Sequence, residues 1–376
     1  SDCIVIPGLV DLHTHLREPG FEYKETIASG TMAAVKGGFT TVCCMPNTKP
    51  SNDSESVTEF IMDKARKEGA CTVYPIGAVT RGQKGEELTE LDAMSKSGCI
   101  AFSDDGMPVT NSLIMRRALE YSKIFNVPII AHCEDPFLAE GGSVNEGFYS
   151  TTVGLKGIPK AAEEIMVARD IILCELTGGK LHIAHVSSGG SVRIIREAKA
   201  RGIAVTAETC PHYFSLTDER LTTYDTNLKV NPPVRTQEDV DAIKEGLRDG
   251  TLDIIATDHA PHHSDDKNRE FDTAAFGISG LETAFALSLK LVKDGLIDLN
   301  YLIKLMCLRP SLIAGISKGT LQPGADADLA IINTEKEYTV DSAKFLSKGK
   351  NSPFHSWQLT GKIEHTIAMG KLYNWD

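Results

Sequence analysis

The chain has no Cys-x-x-Cys pair, no apolar run of eighteen residues and no excess of positive charge. Each absence removes a class of function. Nine cysteines scattered over 376 residues read as reduced thiols, mostly core filler, and predict a cytoplasmic protein rather than a disulfide framework. Without a long apolar run or a signal-peptide pattern, neither membrane insertion nor export is expected. A net charge of −12 argues against a nucleic-acid surface. It leaves an anionic small molecule open as substrate, because one local arginine outweighs distant surface charge. There is no low-complexity stretch, and no internal repeat beyond the alternation of short apolar runs with amphipathic segments.

What is present suffices for one barrel-sized domain or two domains. Strands are expected at 8–15, 40–46, 72–80, 99–105, 128–135, 180–187, 204–211 and 253–261. Helices are expected at 24–36, 111–125, 160–176 and 191–200, the second begun by an Asn111 cap and the others ended by glycines. This rhythm predicts the α/β class, a (β/α)8 TIM barrel over 8–318. The tail, 319–376, changes character. A turn followed by a short strand within 319–332, and strands at 360–368 and 371–375 split by Gly370, predict part of a small accessory β unit, sandwich-like.

In such a barrel, function sits at the C-terminal ends of the strands. There the chain carries His13 and His15, Asn47, Asp104 and Asp105, His132, His185, and Asp258 with His262. Taken singly, each histidine is more simply a packed core residue. Their recurrence at matching points of successive units is the argument for a site.

On a strand, residues i and i+2 share a face, so His13 and His15 can grip one metal ion. Arg17, just beyond, offers a planar fork suited to a carboxylate. His13, His15, His132 and His185, with one acid of the fourth strand end and Asp258, form a nitrogen and oxygen set that zinc accepts. Six ligands exceed one tetrahedral site, so two ions sharing a carboxylate and a water fit better. Alternation leaves Asp104 and Asp105 equally open. It sets His182 opposite to His185, which predicts that His182 faces the outer helices. His212, His355 and His365 have no evident partners, and His263 falls in a loop. Asp11 is either an orienting group behind the ligands or a satisfied buried acid. Asp258 is the best candidate for general base, or else a ligand alone. Asn47, Asn231 and His262 are candidates to orient a substrate, although Asn231, before two prolines, equally suits a turn. Cys133 is expected to be structural.

The strings Asp11-Leu12-His13-Thr14-His15-Leu16-Arg17-Glu18-Pro19-Gly20, Met45-Pro46-Asn47-Thr48, Lys229-Val230-Asn231-Pro232-Pro233-Val234-Arg235 and Ala256-Thr257-Asp258-His259-Ala260-Pro261-His262 resemble the amidohydrolase superfamily, and within it the type I dihydroorotases. The resemblance covers nearly the whole chain. It implies reversible cyclisation of N-carbamoyl-L-aspartate to L-dihydroorotate, a step of de novo pyrimidine synthesis. It implies Zn2+, one or two per chain with two favoured. His13 and His15 would hold one ion with Asp258, and His132 and His185 the other. Asp105, rather than Asp104, would bridge them. Many relatives bridge with a carboxylated lysine; residues 102–106 contain none, which is similar to the type I class. Arg17, Asn47 and His262 would hold the substrate carboxylate, Asn231 would contact the ring region, and the backbone at Ala275, Phe276 and Gly277 would line the substrate.

Two other readings share these motifs. One is a related cyclic-amide hydrolase: a dihydropyrimidinase, a hydantoinase or an allantoinase. The other is a non-catalytic scaffold for aspartate transcarbamoylase. A homodimer, or a complex of the active chain with aspartate transcarbamoylase, is compatible with the resemblance. Family members usually carry a few dozen residues ahead of the His-x-His strand. Here seven precede Gly8, so the β unit is expected to have its N-terminal part absent or cut to 1–7, with an exposed strand edge. The charged loop 261–276 is either a lid or an ordinary solvated loop.

Overall fold

A computed structural model describes residues 3–375. After β1 (Cys3–Pro7), the expected strands form as β2 (Leu9–Thr14), β3 (Phe39–Cys44), β4 (Thr72–Pro75), β5 (Phe102–Ser103) and β6 (Ile129–Ala131). A short pair, β7 (Val144–Asn145) and β8 (Gly157–Ile158), lies in an excursion. The series resumes with β9 (Leu181–Ile183), β10 (Val205–Thr209) and β11 (Ile254–Ile255). All eight expected strands are there, each shorter than its apolar run. Among the residues trimmed from their C-terminal ends are His15, Asp104, Asp105, His132, His185 and Asp258.

Strands β2-β3-β4 and β11-β10-β9-β6-β5 make two parallel sheets. Parallel bridges Gly77↔Phe102 and Thr14↔His259 join them end to end. Every residue of β2 and β3 is buried. Helices cover parallel strands, so their sequences run apolar without alternating.

The helices start and stop where side-chain chemistry dictates. Asn111 Oδ1 accepts from the backbone N–H of Leu113 and Ile114 to open 112–125. Gly178, at φ +64°, closes 161–177 in a left-handed turn that costs glycine nothing. Between these helices, Met166, Val167, Ile171 and Cys174 are buried with Met115, Ala118 and Leu119. Full burial of a large apolar side chain contributes about 1.5–3 kcal/mol.

The tail forms β12 (Leu329–Thr339), β13 (Gln358–Ala368) and β14 (Lys371–Asn374). They make an antiparallel sheet with β1, in the order β1-β12-β13-β14. Residues Cys3 to Pro7 pair with Asn333 to Leu329. The expected sandwich is, among the described residues, one sheet. Its covering layer is helical: Thr366 Oγ1 donates to Val35 O at the end of helix 27–36, at 2.6 Å, and Gly361 comes within side-chain contact of Leu289. A second sheet is not needed where helices already bury the inner face. Among the described residues no helix is long and apolar enough to cross a membrane.

Candidate functional site

All the residues expected to build the site, apart from His13 and Ala275, line one cavity of about 200 Å³. His13 is fully buried beneath it. Asp105 is the hub. Its Oδ1 lies 3.3 Å from His13 Nε2, 3.4 Å from His185 Nε2 and 3.7 Å from His132 Nδ1. Its Oδ2 lies 3.5 Å from His15 Nε2. Asp258 Oδ1 stands 3.2 Å from His15 Nε2 and 3.5 Å from His13 Nε2. Ligands about 2.0–2.1 Å from a tetrahedral zinc are separated by about 3.3 Å. These spacings therefore suit a shared ion.

Two ligand groups overlap here, His13–His15–Asp258 and His13–Asp105–His185. His13 Nε2 and Asp105 Oδ1, which face each other, are buried without a hydrogen bond. Buried polar atoms are normally satisfied, and a cation between them answers the deficit. Asp104, the alternative acid, is spent elsewhere: its carboxylate accepts from the backbone N–H and hydroxyl of Thr80.

Electrostatics point the same way. Burial alone would push Asp105 up, but the charge of His13 and the close approach of His13, His132 and His185 hold it well below the usual carboxylate range. Burial likewise opposes protonation of His13, and Asp105, Glu208 and Asp258 outweigh it, raising His13 well above its ordinary value. Three buried carboxylates thus compete for positive charge.

The backbone is strained at this rim. Arg17, His185 and Asp258 have φ of +62°, +35° and +47°, a region that non-glycine residues rarely occupy. Arg17 Nε donates to Pro261 O at 3.2 Å, and burial pulls its pKa to about 10, which leaves it charged. His262 Nδ1 lies 3.2 Å from Lys24 Nζ, and its Nε2 2.8 Å from Phe276 O. Lys24 Nζ only donates and Phe276 O only accepts, so Nε2 carries the ring proton and donates to Phe276 O, with Arg17 Nη2 3.2 Å from the same nitrogen. Burial and the Arg17, Lys24 and Lys267 charges hold His262 neutral. Asn47 Oδ1 accepts from His15 Nδ1 at 2.8 Å, so Asn47 orients a candidate ligand as well as lining the cavity. Asn231 Oδ1 is buried without a partner. Gly277, at φ +143°, has no room for a side chain: a Cβ would meet Ala260 O at 2.6 Å.

His182 corrects the expectation from alternation. Its Nε2 lies 3.1 Å from Glu208 Oε2 and its Nδ1 2.8 Å from Thr206 Oγ1, so it serves the site's floor and not the outer helices. Strand β9 ends at Ile183 and His185 lies in a positive-φ turn. Alternation does not carry from one histidine to the other. Asp11 accepts from the backbone of His13 and from Thr257, not from an imidazole; it is a satisfied buried acid. Cys133 Sγ faces Asp170, 3.7 Å away.

Glu208, Cys210 and His212 were not anticipated. Cys210 and His212 lie close enough to Asp258 to form a third ligand group. An acid in the middle of the apolar run 204–211 was the available signal for Glu208.

Residues 2–191 match the Dihydro-orotase-like family. The chain is 56% identical over 370 residues to a dihydroorotase of Acetivibrio thermocellus, covering 98% of this chain and 87% of that protein.

The chain belongs to the dihydroorotase-like family.

A dihydroorotase of Syntrophus aciditrophicus is 57% identical over 369 residues, with the same coverage of each chain. Among solved structures, the L-hydantoinase (dihydropyrimidinase) of Arthrobacter aurescens superposes with a TM-score of 0.88 at 26% identity, covering 98% of this chain and 85% of that one. The family's curated members at high identity are thus dihydroorotases, and the hydantoinase is a more distant likeness in shape.

Proposed function

We propose that this protein is a zinc-dependent dihydroorotase of the type I class, within the amidohydrolase superfamily. It interconverts N-carbamoyl-L-aspartate and L-dihydroorotate in de novo pyrimidine synthesis. The observation that carries the reading is Asp105 between the His13–His15 and His132–His185 pairs, with Arg17 on the same cavity. The circular order of eight parallel strands supports a closed (β/α)8 barrel over 8–318. Residues 319–376, with Cys3–Pro7, make the accessory β unit.

Two Zn2+ ions suit the donor set: His13, His15 and Asp258 would hold one, His132 and His185 the other, with Asp105 serving both. Zinc there would lower the pKa of water and polarise a carbonyl. The chain's own residues do the rest. Arg17 pairs with the substrate carboxylate, beside the Nδ2 of Asn47 and neutral His262. Asn231 Oδ1, otherwise unpartnered, accepts from a ring N–H. The backbone at Phe276 and Gly277 bounds the ring. In hydrolysis Asp258 takes the proton of the attacking water and hands it to the departing ring nitrogen. In synthesis it takes a proton from the carbamoyl nitrogen as that nitrogen attacks the side-chain carboxyl carbon and water leaves.

The likeness to the L-hydantoinase favours a second reading, turnover of an uncharged cyclic amide. The half-buried cation at Arg17 opposes it, since such a ring brings no carboxylate. A scaffold role is opposed by the complete donor set. The reading includes a cytoplasmic location, and a homodimer or a complex with aspartate transcarbamoylase as assembly, which a size shift on mixing detects.

The test is dihydroorotate hydrolysis by zinc-loaded protein, with metal content measured on the same sample and hydantoin and allantoin as comparisons. Selective turnover of dihydroorotate supports the reading. Two bound zinc ions with no such turnover overturn it.

A further inference from the structure

Lys267 is a buried lysine outside the catalytic set, only 4% exposed, at the end of the short helix Ser264–Lys267. Its ammonium has no carboxylate among its hydrogen-bond partners. Instead Nζ donates to three backbone carbonyls: Ala275 at 2.8 Å, Gly277 at 3.2 Å and Lys229 at 3.4 Å. Those carbonyls belong to the two segments that face the cavity. One runs through Phe276 and Gly277; the other leads from Lys229 to Asn231. The segments also meet directly, Gly277 N donating to Lys229 O at 2.9 Å. Lys229 turns its own Nζ to Asp272 O and over the Phe276 ring, 4.4 Å from its centroid.

A buried cation is expensive unless something needs it. Burial and the neighbouring Lys229 charge pull the Lys267 pKa down to about 7, so burial works against the charged form here. A single side chain holding three carbonyls is a geometric device: it fixes the distance between Asn231 and the Phe276–Gly277 backbone.

We propose that Lys267 is a positioning residue for substrate recognition, clamping the 275–277 backbone against the 229–231 segment so that Asn231 and Gly277 meet the ring together. This rests on the dihydroorotase reading. The ammonium touches neither the substrate nor a candidate metal ligand, so its loss acts on binding before it acts on chemistry.

The test is Lys267→Met in the full chain, read four ways: KM, kcat, zinc content, and hydrogen–deuterium exchange of the peptide covering 271–281. The expected result is a KM for dihydroorotate raised at least tenfold, kcat within about threefold and unchanged zinc. Exchange at the Gly277 amide should be at least tenfold faster, while peptides of the strands are unaffected. A KM within about twofold of the parent overturns the proposal. So does a joint loss of zinc and kcat with unchanged exchange at 275–277, which would make Lys267 a support of the metal centre. Should Lys267→Met not fold, Lys267→Gln keeps a shorter donor and carries the same readouts, with an intermediate rise in KM expected and an unchanged KM overturning the clamp. If the parent itself does not hydrolyse dihydroorotate, the functional reading fails. The exchange measurement needs no substrate and still decides whether the clamp exists.

Discussion

Glu208 Oε1 stands 2.6 Å from His13 Nδ1, and its other oxygen 3.1 Å from His182 Nε2. The carboxylate therefore accepts from both rings and keeps the proton on His13 Nδ1, so that Nε2 is the nitrogen left to bind a metal ion. Nε2 is the atom that faces Asp105 and Asp258. A carboxylate behind a ligating imidazole sets its tautomer and raises its basicity, and losing one typically weakens metal binding about 10–100-fold. Glu208→Gln should show that loss in a chelator competition while the protein stays folded. Unchanged zinc affinity would mean that His13 does not depend on Glu208.

Arg17 predicts a selectivity. Truncating one partner of a desolvated charge pair costs about 2–5 kcal/mol. Arg17→Met should therefore lower kcat/KM for dihydroorotate by about 30-fold or more, since about 1.4 kcal/mol is a factor of ten. Any residual hydrolysis of hydantoin, which has no carboxylate, should be unaffected. Equal losses on both substrates would remove Arg17 from carboxylate recognition.

The strand ends made the site readable before the fold was known, and two physical facts limited how far. Strand alternation identifies neighbours only while the strand lasts. It relates His13 to His15 across the end of β2, but fails between His182 and His185 because β9 stops at Ile183. Choosing Asp105 over Asp104 needed the family resemblance; in the fold it follows from Thr80, which consumes Asp104. Supporting groups were hidden for another reason. Glu208 and Asn351 act through partners far away in sequence. Asn351, for example, accepts from His262 N and donates to Gly277 O, and no local pattern around it announces either contact.

Asp258 is asked to be both ligand and base, and the roles separate experimentally. Loss of a general base costs about 100- to 10,000-fold in kcat. Asp258→Asn can keep an oxygen toward the ion while losing the proton acceptor. The expected outcome is a kcat lowered within that range at zinc contents close to the parent's, when zinc is supplied in excess. A variant that recovers full kcat once zinc is restored would confine Asp258 to ligation.

Asp170, on helix 161–177, tests burial against ion pairing away from the site. Its Oδ1 lies 2.7 Å from Arg169 Nε, a contact that favours the charged form. Burial opposes it and wins, raising the carboxyl from 3.8 to about 6. Between those values the folded chain holds a proton that the unfolded chain has released. Stability from this group is therefore present at acid pH and falls as pH rises from about 4 to about 6, by at most about 3 kcal/mol in all. Asp170→Asn removes the titration. In urea unfolding of chelator-treated protein, the stability of the parent minus that of the variant should fall by about 1–3 kcal/mol between pH 4 and 6.5, then level off. A difference that instead grows with pH would mean that Arg169 keeps the carboxyl ionised, and that the ion pair, not burial, governs this part of the core.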